Sequence, residues 1–316
     1  MILQIILLIV GFIFLIKGAD VFVDGASRTA QNFKVSKVLI GLTIVAFGTG
    51  TPELAVSIKA LSQGATDMVL GNVIGSNITN ALLILGIATL IHPISVKQNT
   101  VRKELPLCAL ISTILVVLFL DHEINNTIAN TISRSDALAI ILFFAIFLYY
   151  IISISRNKID EDNEKSKYKT STALMFTALG LVSIILGSEL VVESATQIAT
   201  TLGVSERVIS LTIIAIGTSL PELVTTIISS IKKEQDILLG NIIGSNIFNI
   251  CIVLGLPVAI FGCITPTSFQ MIDIITLLLS SIILFIFAYT NKKISKLEGT
   301  ILLVIYAIYY TLVFVL

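Results

Sequence analysis

The pattern that decides the fold occurs twice in this chain of 316 residues, as GTGTPEL at residues 48–54 and as GTSLPEL at residues 217–223. A second pattern follows each copy: GNVIGSNITN at residues 71–80 and GNIIGSNIFN at residues 240–249. One shift of 169 residues superposes both pairs without a gap. A gapless match of this length among polar residues indicates an internal duplication.

The composition around the repeats is that of an integral membrane protein. Hydrophobic residues make up 55% of the chain and charged residues 13%, and the mean hydropathy is +1.01. Soluble domains carry about 45–50% apolar and about 25% charged residues. The formal net charge of zero provides no basic excess for nucleic acid, so nucleic-acid binding is excluded.

The apolar stretches predict ten transmembrane helices, since a bilayer core of about 30 Å requires roughly 20 apolar residues per helix. They fall near residues 2–23, 36–60, 68–91, 105–121, 136–154, 171–191, 205–231, 237–261, 270–289 and 298–315. We therefore expect an all-α integral membrane fold of two five-helix repeats. Its predicted parts are a first half at 1–155 with an α-repeat at about 36–91, a linker at 156–170, and a second half at 171–316 with an α-repeat at about 205–261.

The distribution of Lys and Arg predicts the orientation of the spans. If Lys17, inside the first span, is left out, sixteen basic residues lie in the odd-numbered loops and three on the other face. Because cytoplasmic loops retain basic residues, both termini should face outward from the cell membrane and the linker should be cytoplasmic. Five spans per half is an odd number, so the two repeats must be inverted relative to each other.

Two prolines, Pro52 and Pro221, lie inside predicted spans and should break the helix just before them, because proline removes a backbone donor. Such a break frees backbone carbonyl oxygens at mid-membrane, where transporters use them for Na+. The carbonyls concerned lie around Ala46, Thr49, Ala215 and Thr218.

Two glutamates, Glu53 and Glu222, follow these prolines. An ionised carboxylate at the bilayer centre costs at least ~2.5 kcal/mol, so each needs a cation or a proton. A spacing of four residues places hydroxyl side chains on the same helix face as each glutamate. The two faces are Thr49, Glu53 and Ser57 in the first repeat, and Thr218, Glu222 and Thr226 in the second. The same spacing forms one further stripe in each repeat: Asn72, Ser76 and Asn80, and Asn241, Ser245 and Asn249. Carboxylate, hydroxyl, amide and carbonyl oxygens suit hard cations, and Ca2+ prefers six to eight of them.

Around these motifs the sequence resembles the cation/Ca2+ exchanger superfamily, and within it the Na+/Ca2+ exchangers of the short prokaryotic type. The resemblance covers the whole chain and implies an antiporter rather than an enzyme, with Na+ and Ca2+ as substrates and no cofactor. It implies that Glu53 and Glu222 hold Ca2+ with the carbonyls of Thr49 and Thr218. The Na+ positions that it implies are Ser76, Ser219, Ser245, Ala46 and Ala215. It also implies that the first and sixth spans slide across the other eight.

Two positions depart from the family pattern. Gly50 stands where the second repeat has Ser219 and where many relatives carry a hydroxyl, so one Na+ ligand is absent from the first repeat. Asn249 stands where some archaeal exchangers and the K+-dependent branch carry Asp, and its counterpart Asn80 is also neutral. The predicted site therefore has two carboxylates, which favours exchange that is independent of K+.

Three other functions are compatible with parts of the pattern. An H+/Ca2+ antiporter of the same superfamily is the main alternative, although its repeats usually read G-N-x-x-E. A passive channel would line its pore with repeats around one axis, and an inverted pair suits alternating access better. An intramembrane enzyme would need a catalytic dyad, which the two repeated glutamates could supply, but no nucleophile or substrate-entry signal supports it. The expected partners are Na+, Ca2+ and the lipid bilayer, and a monomer is compatible with all of them.

Overall fold

The computed structural model describes residues 1–120, 122, 124, 129–156, 169–203, 215–265 and 270–315. Residues 157–168 of the predicted linker and residues 205–214 of the second α-repeat lie outside the described part. The described chain is helical apart from turns and short strand pairings, which confirms the all-α prediction.

The helices, in chain order, are α1 (Ile2–Phe33), α2 (Lys37–Ile40), α3 (Ala46–Thr49), α4 (Thr51–Ser62), α5 (Thr66–Ile78), α6 (Leu85–Ile91), α7 (Leu105–Phe119), α8 (Arg134–Arg156), α9 (Thr170–Thr201), α10 (Ala215–Thr218), α11 (Leu220–Ile231), α12 (Gln235–Phe248), α13 (Gly255–Phe261), α14 (Met271–Asn291) and α15 (Lys296–Val315). Wider π-helical turns occupy Gly41–Val45, Thr79–Ile84, Thr100–Glu104 and Asn249–Leu254. Strand β1 (Ile94–Ser95) pairs antiparallel with β2 (Lys293–Ile294).

The duplication in the sequence is also present in the local structure. Helices α3 and α10 have four residues each, and α4 and α11 have twelve each. The starts of α3, α4 and α5 lie 169 residues before the starts of α10, α11 and α12, which is the shift found in the sequence. The same residue patterns therefore begin the same three helices in both repeats.

The predicted helix breaks are present. In the first repeat Gly50 separates α3 from α4, and the helical stretches Lys37–Thr49 and Thr51–Ser62 are bent by 43°. In the second repeat Ser219 separates α10 from α11, and Pro221 lies in the first turn of α11. Proline is tolerated there because the first backbone N–H groups of a helix have no partner within it. Each break thus comes two residues before its proline.

The described residues form two compact units, and each takes segments from both halves of the sequence. The first unit contains Met1–Pro52 and Lys158–Asn241, and the second contains Glu53–Asn157 and Ile242–Leu316. The two halves predicted from the sequence are the two copies of the duplication, which is a different division from these compact units. The boundaries of the halves stay a prediction.

In the first unit, the long helices α1 and α9 pack against each other through glycines. A Cβ atom at Gly180 would lie 2.6 Å from the backbone nitrogen of Phe22, and one at Gly25 would lie 2.5 Å from that of Thr177. Real Cβ atoms essentially never come closer than 3.0 Å to another heavy atom. Only glycine therefore permits this approach, as in other small-residue helix contacts in membranes.

Ion pairs also join α1 to the end of α11 in the first unit. The Lys232 ammonium lies 2.8 Å from a carboxylate oxygen of Asp20 and 2.7 Å from one of Asp24. Glu234 accepts from Lys37 at 2.8 Å and from the hydroxyl of Ser27 at 2.9 Å. Asp20 and Asp24 of α1 thus have a partner within the protein.

In the second unit, short pairings tie the loops at the helix ends. Ile94 pairs with Ile294 in the β1–β2 ribbon, and Ile132 forms a single antiparallel bridge with Ile264. All four isoleucines are fully buried. Their burial provides apolar contact that holds the loops against the helices.

Seven helices of the described chain are long and apolar enough to cross a membrane. They are Ile2–Phe33, Thr66–Ile91, Arg134–Ser153, Thr170–Thr201, Gln235–Phe261, Met271–Thr290 and Lys296–Val313. The bent pair in the first repeat would make an eighth. Of the other two predicted spans, 105–121 corresponds to α7, and 205–231 begins outside the described residues and ends in α11. The count of ten spans therefore stays a prediction.

Candidate functional site

Glu222 is a buried carboxylate in the first unit, with 3% of its surface exposed. It lies in the first turn of α11, where the positive end of the helix dipole favours a negative charge. The side chain of Thr49 lies near it. Its Oε2 atom is buried and has no hydrogen-bond partner. One carboxylate oxygen is thus available to a cation.

Thr49, at the end of α3, belongs to a buried chain of polar contacts in the first unit. Its hydroxyl lies 3.0 Å from the carbonyl oxygen of Val45 and 3.2 Å from Oδ1 of Asn241. Asn241 in turn donates its Nδ2 to the hydroxyl of Thr226 on α11 at 3.2 Å. These hydrogen bonds connect the end of α3, just before the break at Gly50, to α11, the helix that carries Glu222.

Helix α11 buries a polar face beyond Glu222. Thr225, Thr226, Ser229 and Ser230 are all buried. The hydroxyl oxygens of Thr225 and Ser229 have no hydrogen-bond partner. Because polar groups in lipid are costly, a face of this kind belongs inside the protein, where it can contact water or ions.

Glu53 is the corresponding carboxylate in the second unit, with 1% of its surface exposed. It lies in the first turn of α4. The amide of Asn72, on α5, donates to the backbone carbonyl of Glu53 at 2.9 Å and to the hydroxyl of Ser57 at 3.0 Å. The contact between Asn72 and Ser57 has its repeat equivalent in the contact between Asn241 and Thr226. Both repeats thus use one asparagine to join the two helices.

Four buried asparagines meet in the second unit. Asn80 donates its Nδ2 to Oδ1 of Asn246, and Asn249 donates its Nδ2 to Oδ1 of Asn77, both at 3.1 Å. The Oδ1 atoms of Asn80 and Asn249 are buried without a hydrogen-bond partner, as is the hydroxyl of Ser245. Asn80 and Asn249 both lie in π-helical turns, a feature that is frequent at functional sites.

The structure divides the predicted site residues between the two units. The first unit contains Ala46, Thr49, Ala215, Thr218, Ser219 and Glu222, and the second contains Glu53, Ser76, Asn80, Ser245 and Asn249. Thr49 lies near Glu222 in the first unit, and Asn80 and Asn249 share one network in the second. The expectation that Thr49, Glu53 and Ser57 lie on one helical face is corrected, because the break at Gly50 puts Thr49 on a different helix.

Several functional candidates were not identified from the sequence. Asn77 and Asn246 are buried within the motifs. They were not predicted as site residues because they do not fall on the stripes of residues spaced four apart. Their signal was present, because both motifs contain the same asparagine at the same offset. Thr225 and Ser229 were missed because the first repeat has apolar Val56 and Ala60 at the equivalent positions.

Each unit contains one of the two predicted carboxylates together with neutral amide, hydroxyl or carbonyl oxygens. In the described part of the chain, no group of three or more His, Cys, Asp and Glu side chains comes together to hold a metal ion. A cation would therefore depend on neutral oxygens as much as on carboxylates. Such a set suits the alkali and alkaline-earth cations.

Comparison with known proteins identifies the family. The model of the sodium/calcium exchanger protein family matches residues 3–153 and 172–315. The chain belongs to the sodium/calcium exchanger family. This confirms the resemblance seen in the sequence, and the family is one of membrane transporters rather than enzymes.

This exchanger is similar along nearly its whole length to proteins of bacteria and archaea. It is 38% identical over 320 residues to the putative antiporter CaxA of Alkalimonas amylolytica, with 98% of each chain covered. It is 32% identical to the sodium/calcium exchanger MaX1 of Methanosarcina acetivorans, again with 98% of each chain covered. A solved structure of the sodium-calcium exchanger NCX_Mj, soaked with 10 mM Na+ and zero Ca2+, matches with a TM-score of 0.87 at 32% identity over 98% of both chains.

Proposed function

We propose that this exchanger moves Na+ and Ca2+ in opposite directions across the cell membrane by alternating access. The observation that carries the proposal is the pair of buried glutamates, Glu53 and Glu222, each in the first turn after a helix break at equivalent repeat positions. The family match and the likeness to the NCX_Mj structure support the same pair of ions.

Charge balance gives the two glutamates their role. A desolvated Ca2+ carries two positive charges, and Glu53 and Glu222 supply two negative ones. Competition between Ca2+ and several Na+ ions for the same oxygens would couple the two fluxes, because the protein cannot bind Ca2+ and the full set of Na+ ions at the same time.

The neutral oxygens complete the proposed ligand set. The backbone carbonyls of Thr49 and Thr218, at the helix ends before the breaks, would bind Ca2+ with the glutamates. The Na+ positions would use Ser76, Ser219, Ser245, Ala46 and Ala215. The amide oxygens of Asn80 and Asn249 would take part at the centre, which is supported by the lack of any hydrogen bond to them.

The two halves, 1–155 and 171–316, are proposed as inverted repeats of five spans each. Reciprocal contacts support a twofold relation: Asn80 contacts Asn246, and its repeat equivalent Asn249 contacts Asn77, at the same 3.1 Å. When residue i of one copy contacts j of the other and j contacts i, the operator relating the copies is twofold. With five spans in each half, that operator would invert one half across the membrane.

The orientation is proposed from the basic residues. Both termini would face outward, and the linker at 156–170 would be cytoplasmic, because sixteen of the counted Lys and Arg residues lie on that face. Alternating access would then expose the same oxygens first to one side and then to the other. Sliding of the first and sixth spans, as the family resemblance implies, would provide the movement.

Exchange is proposed to be electrogenic and independent of K+. Both central amides, Asn80 and Asn249, are neutral, so the site has no third carboxylate for an additional monovalent cation. If three Na+ ions move against one Ca2+, one net charge crosses the membrane in each cycle.

The alternative is an H+/Ca2+ antiporter of the same superfamily, since the name of CaxA gives an antiporter without naming its ions. The purified protein in liposomes distinguishes the two. An outward Na+ gradient at equal pH should drive Ca2+ uptake, and an outward proton gradient at equal Na+ should not. Uptake driven only by the proton gradient would replace the proposal by the alternative, and uptake without any counter-ion gradient would indicate a channel.

A further inference from the structure

The four asparagines of the second unit differ in what surrounds their amide groups. Asn77, Asn80, Asn246 and Asn249 each have no more than 2% of their surface exposed. The Oδ1 atoms of Asn77 and Asn246 accept hydrogen bonds, whereas those of Asn80 and Asn249 have no partner. In each motif, therefore, the amide oxygen of one asparagine accepts a hydrogen bond from the protein, and the amide oxygen of the other accepts none.

The direction of the hydrogen bonds follows from a backbone carbonyl. Asn77 lies 3.2 Å from the carbonyl oxygen of Asn246, which can only accept, so Asn77 must turn its Nδ2 toward it. The Oδ1 of Asn77 then points the other way and can accept only from a donor. Asn249 meets it with Nδ2, and this turns Oδ1 of Asn249 away from the contact.

The second arm has the equivalent contact between its two amides. Asn80 donates its Nδ2 to Oδ1 of Asn246, which leaves Oδ1 of Asn80 open in the same way. A buried carbonyl-type oxygen without a partner is unfavourable unless water or a cation occupies the space that it faces. Two open oxygens at equivalent repeat positions therefore indicate one function for both.

We propose that Asn77 and Asn246 are positioning residues, which hold the amides of Asn249 and Asn80 with their oxygens toward the transported cation. This inference rests on the proposed function, in which Asn80 and Asn249 are ion ligands. A cation is attracted by an amide oxygen and repelled by the amide NH2 group. Without an acceptor at residue 77, the amide of Asn249 is free to turn its NH2 toward the ion, which weakens binding without removing the ligand.

The test is a rescue experiment on Na+-driven Ca2+ uptake in liposomes. Asn77→Leu keeps the size of the side chain but removes the acceptor, and it should raise the half-saturating Ca2+ concentration about tenfold, the order expected for one lost hydrogen bond and one misdirected ligand. The maximal rate should change less. Asn249→Asp in the Asn77→Leu background should restore the half-saturating concentration, because a carboxylate presents an oxygen in either rotation.

The matched control is Ser112→Ala, which removes a buried hydrogen bond to Ser281 in the same unit without touching the asparagines. It should leave the half-saturating concentration unchanged. A half-saturating concentration in Asn77→Leu equal to that of the wild type would overturn the positioning role. So would additive effects of Asn77→Leu and Asn249→Asp, since a packing role predicts no rescue.

A second variant covers the case in which Asn77→Leu does not fold, as judged by gel filtration in detergent. Asn246→Leu tests the mirrored arm, with Asn80→Asp as the rescuing change. If the wild type shows no Na+-driven Ca2+ uptake, the proposed function itself fails. If the wild type transports and only the rescue is absent, the positioning inference alone is overturned.

Discussion

Asn77 donates its side-chain amide to the backbone carbonyl of Asn246 at 3.2 Å, and these two residues occupy the same position in the two repeats. The same unit holds a second pair of this kind, Ser112 and Ser281, whose hydroxyls lie 3.0 Å apart. Equivalent residues of a duplicated sequence that touch each other lie close to the axis that relates the copies. Asn77 and Asn246 therefore join the two copies, whereas the nearby Asn80 and Asn249 are the residues that we propose as ion ligands.

The close packing of α1 on α9 gives a prediction about stability. Gly180→Ala would place a methyl group 2.6 Å from the backbone nitrogen of Phe22, so one helix must move. Overpacking of this kind costs about 1–3 kcal/mol, and the variant should unfold at a lower temperature in detergent. Gly75→Ala is the control, because a Cβ at Gly75 meets nothing within 4 Å. Equal melting temperatures of the two variants would contradict the packing described.

The helical architecture could be predicted from the sequence because apolar length and repeated motifs are local signals. Seven predicted spans appear as long apolar helices, and the breaks near Pro52 and Pro221 are present. The division into two units could not be predicted, because contacts between distant segments decide it. Each unit takes residues from both halves, so proximity in sequence did not indicate which segments pack together.

The sequence predicted which residue types form the candidate site better than it predicted which of these residues contact each other. Helical spacing suggested one face for Thr49 and Glu53, whereas Thr49 contacts Asn241 and approaches Glu222 in the first unit. A helix break resets the angular relation between residues on its two sides, and the angle of 43° is not encoded in the spacing. The role of Asn77 likewise depends on which group faces its amide.

The orientation of the chain is tested by protease accessibility. Protease added to right-side-out cells should spare the linker between Lys165 and Lys169, because the basic residues predict that it is cytoplasmic. A tag placed after Leu316 should be accessible from outside. Cleavage of the linker in intact cells would reverse the proposed orientation, and lysed cells provide the control that the linker can be cut.

The charge moved in each cycle is tested with a membrane potential. One net charge per cycle corresponds to ~2.3 kcal/mol for 100 mV, so a K+ diffusion potential should shift the initial rate or the equilibrium of Ca2+ uptake. The direction of the shift should reverse with the sign of the potential. If neither the initial rate nor the equilibrium of Ca2+ uptake responds to the potential, the ratio is two Na+ per Ca2+.

Asn249→Asp tests the account of the central amides. Its carboxylate would face Oδ1 of Asn77, an acceptor that now lies 3.1 Å from the Asn249 amide. The ionised carboxylate and Oδ1 of Asn77 are both hydrogen-bond acceptors and repel each other. Protonation of the carboxylate provides a donor to Oδ1 of Asn77 again. Exchange by the variant should therefore be more inhibited by protons near neutral pH than exchange by the wild type, or should gain a response to K+. Na+-driven Ca2+ uptake across pH, with and without K+, measures both effects, and a wild type that requires K+ would contradict the account.

The central claim is that Glu53 and Glu222 together hold the transported Ca2+. Its most direct test is the initial rate of Na+-driven Ca2+ uptake in liposomes for Glu53→Ala and Glu222→Ala beside the wild type. Both variants should lose the uptake, because one carboxylate leaves a desolvated divalent ion half neutralised. Glu104→Gln is the matched control, a change at a buried carboxylate outside the proposed site that keeps an acceptor for Tyr150, and it should retain exchange. Preserved uptake in both alanine variants, with intact folding, would contradict the claim.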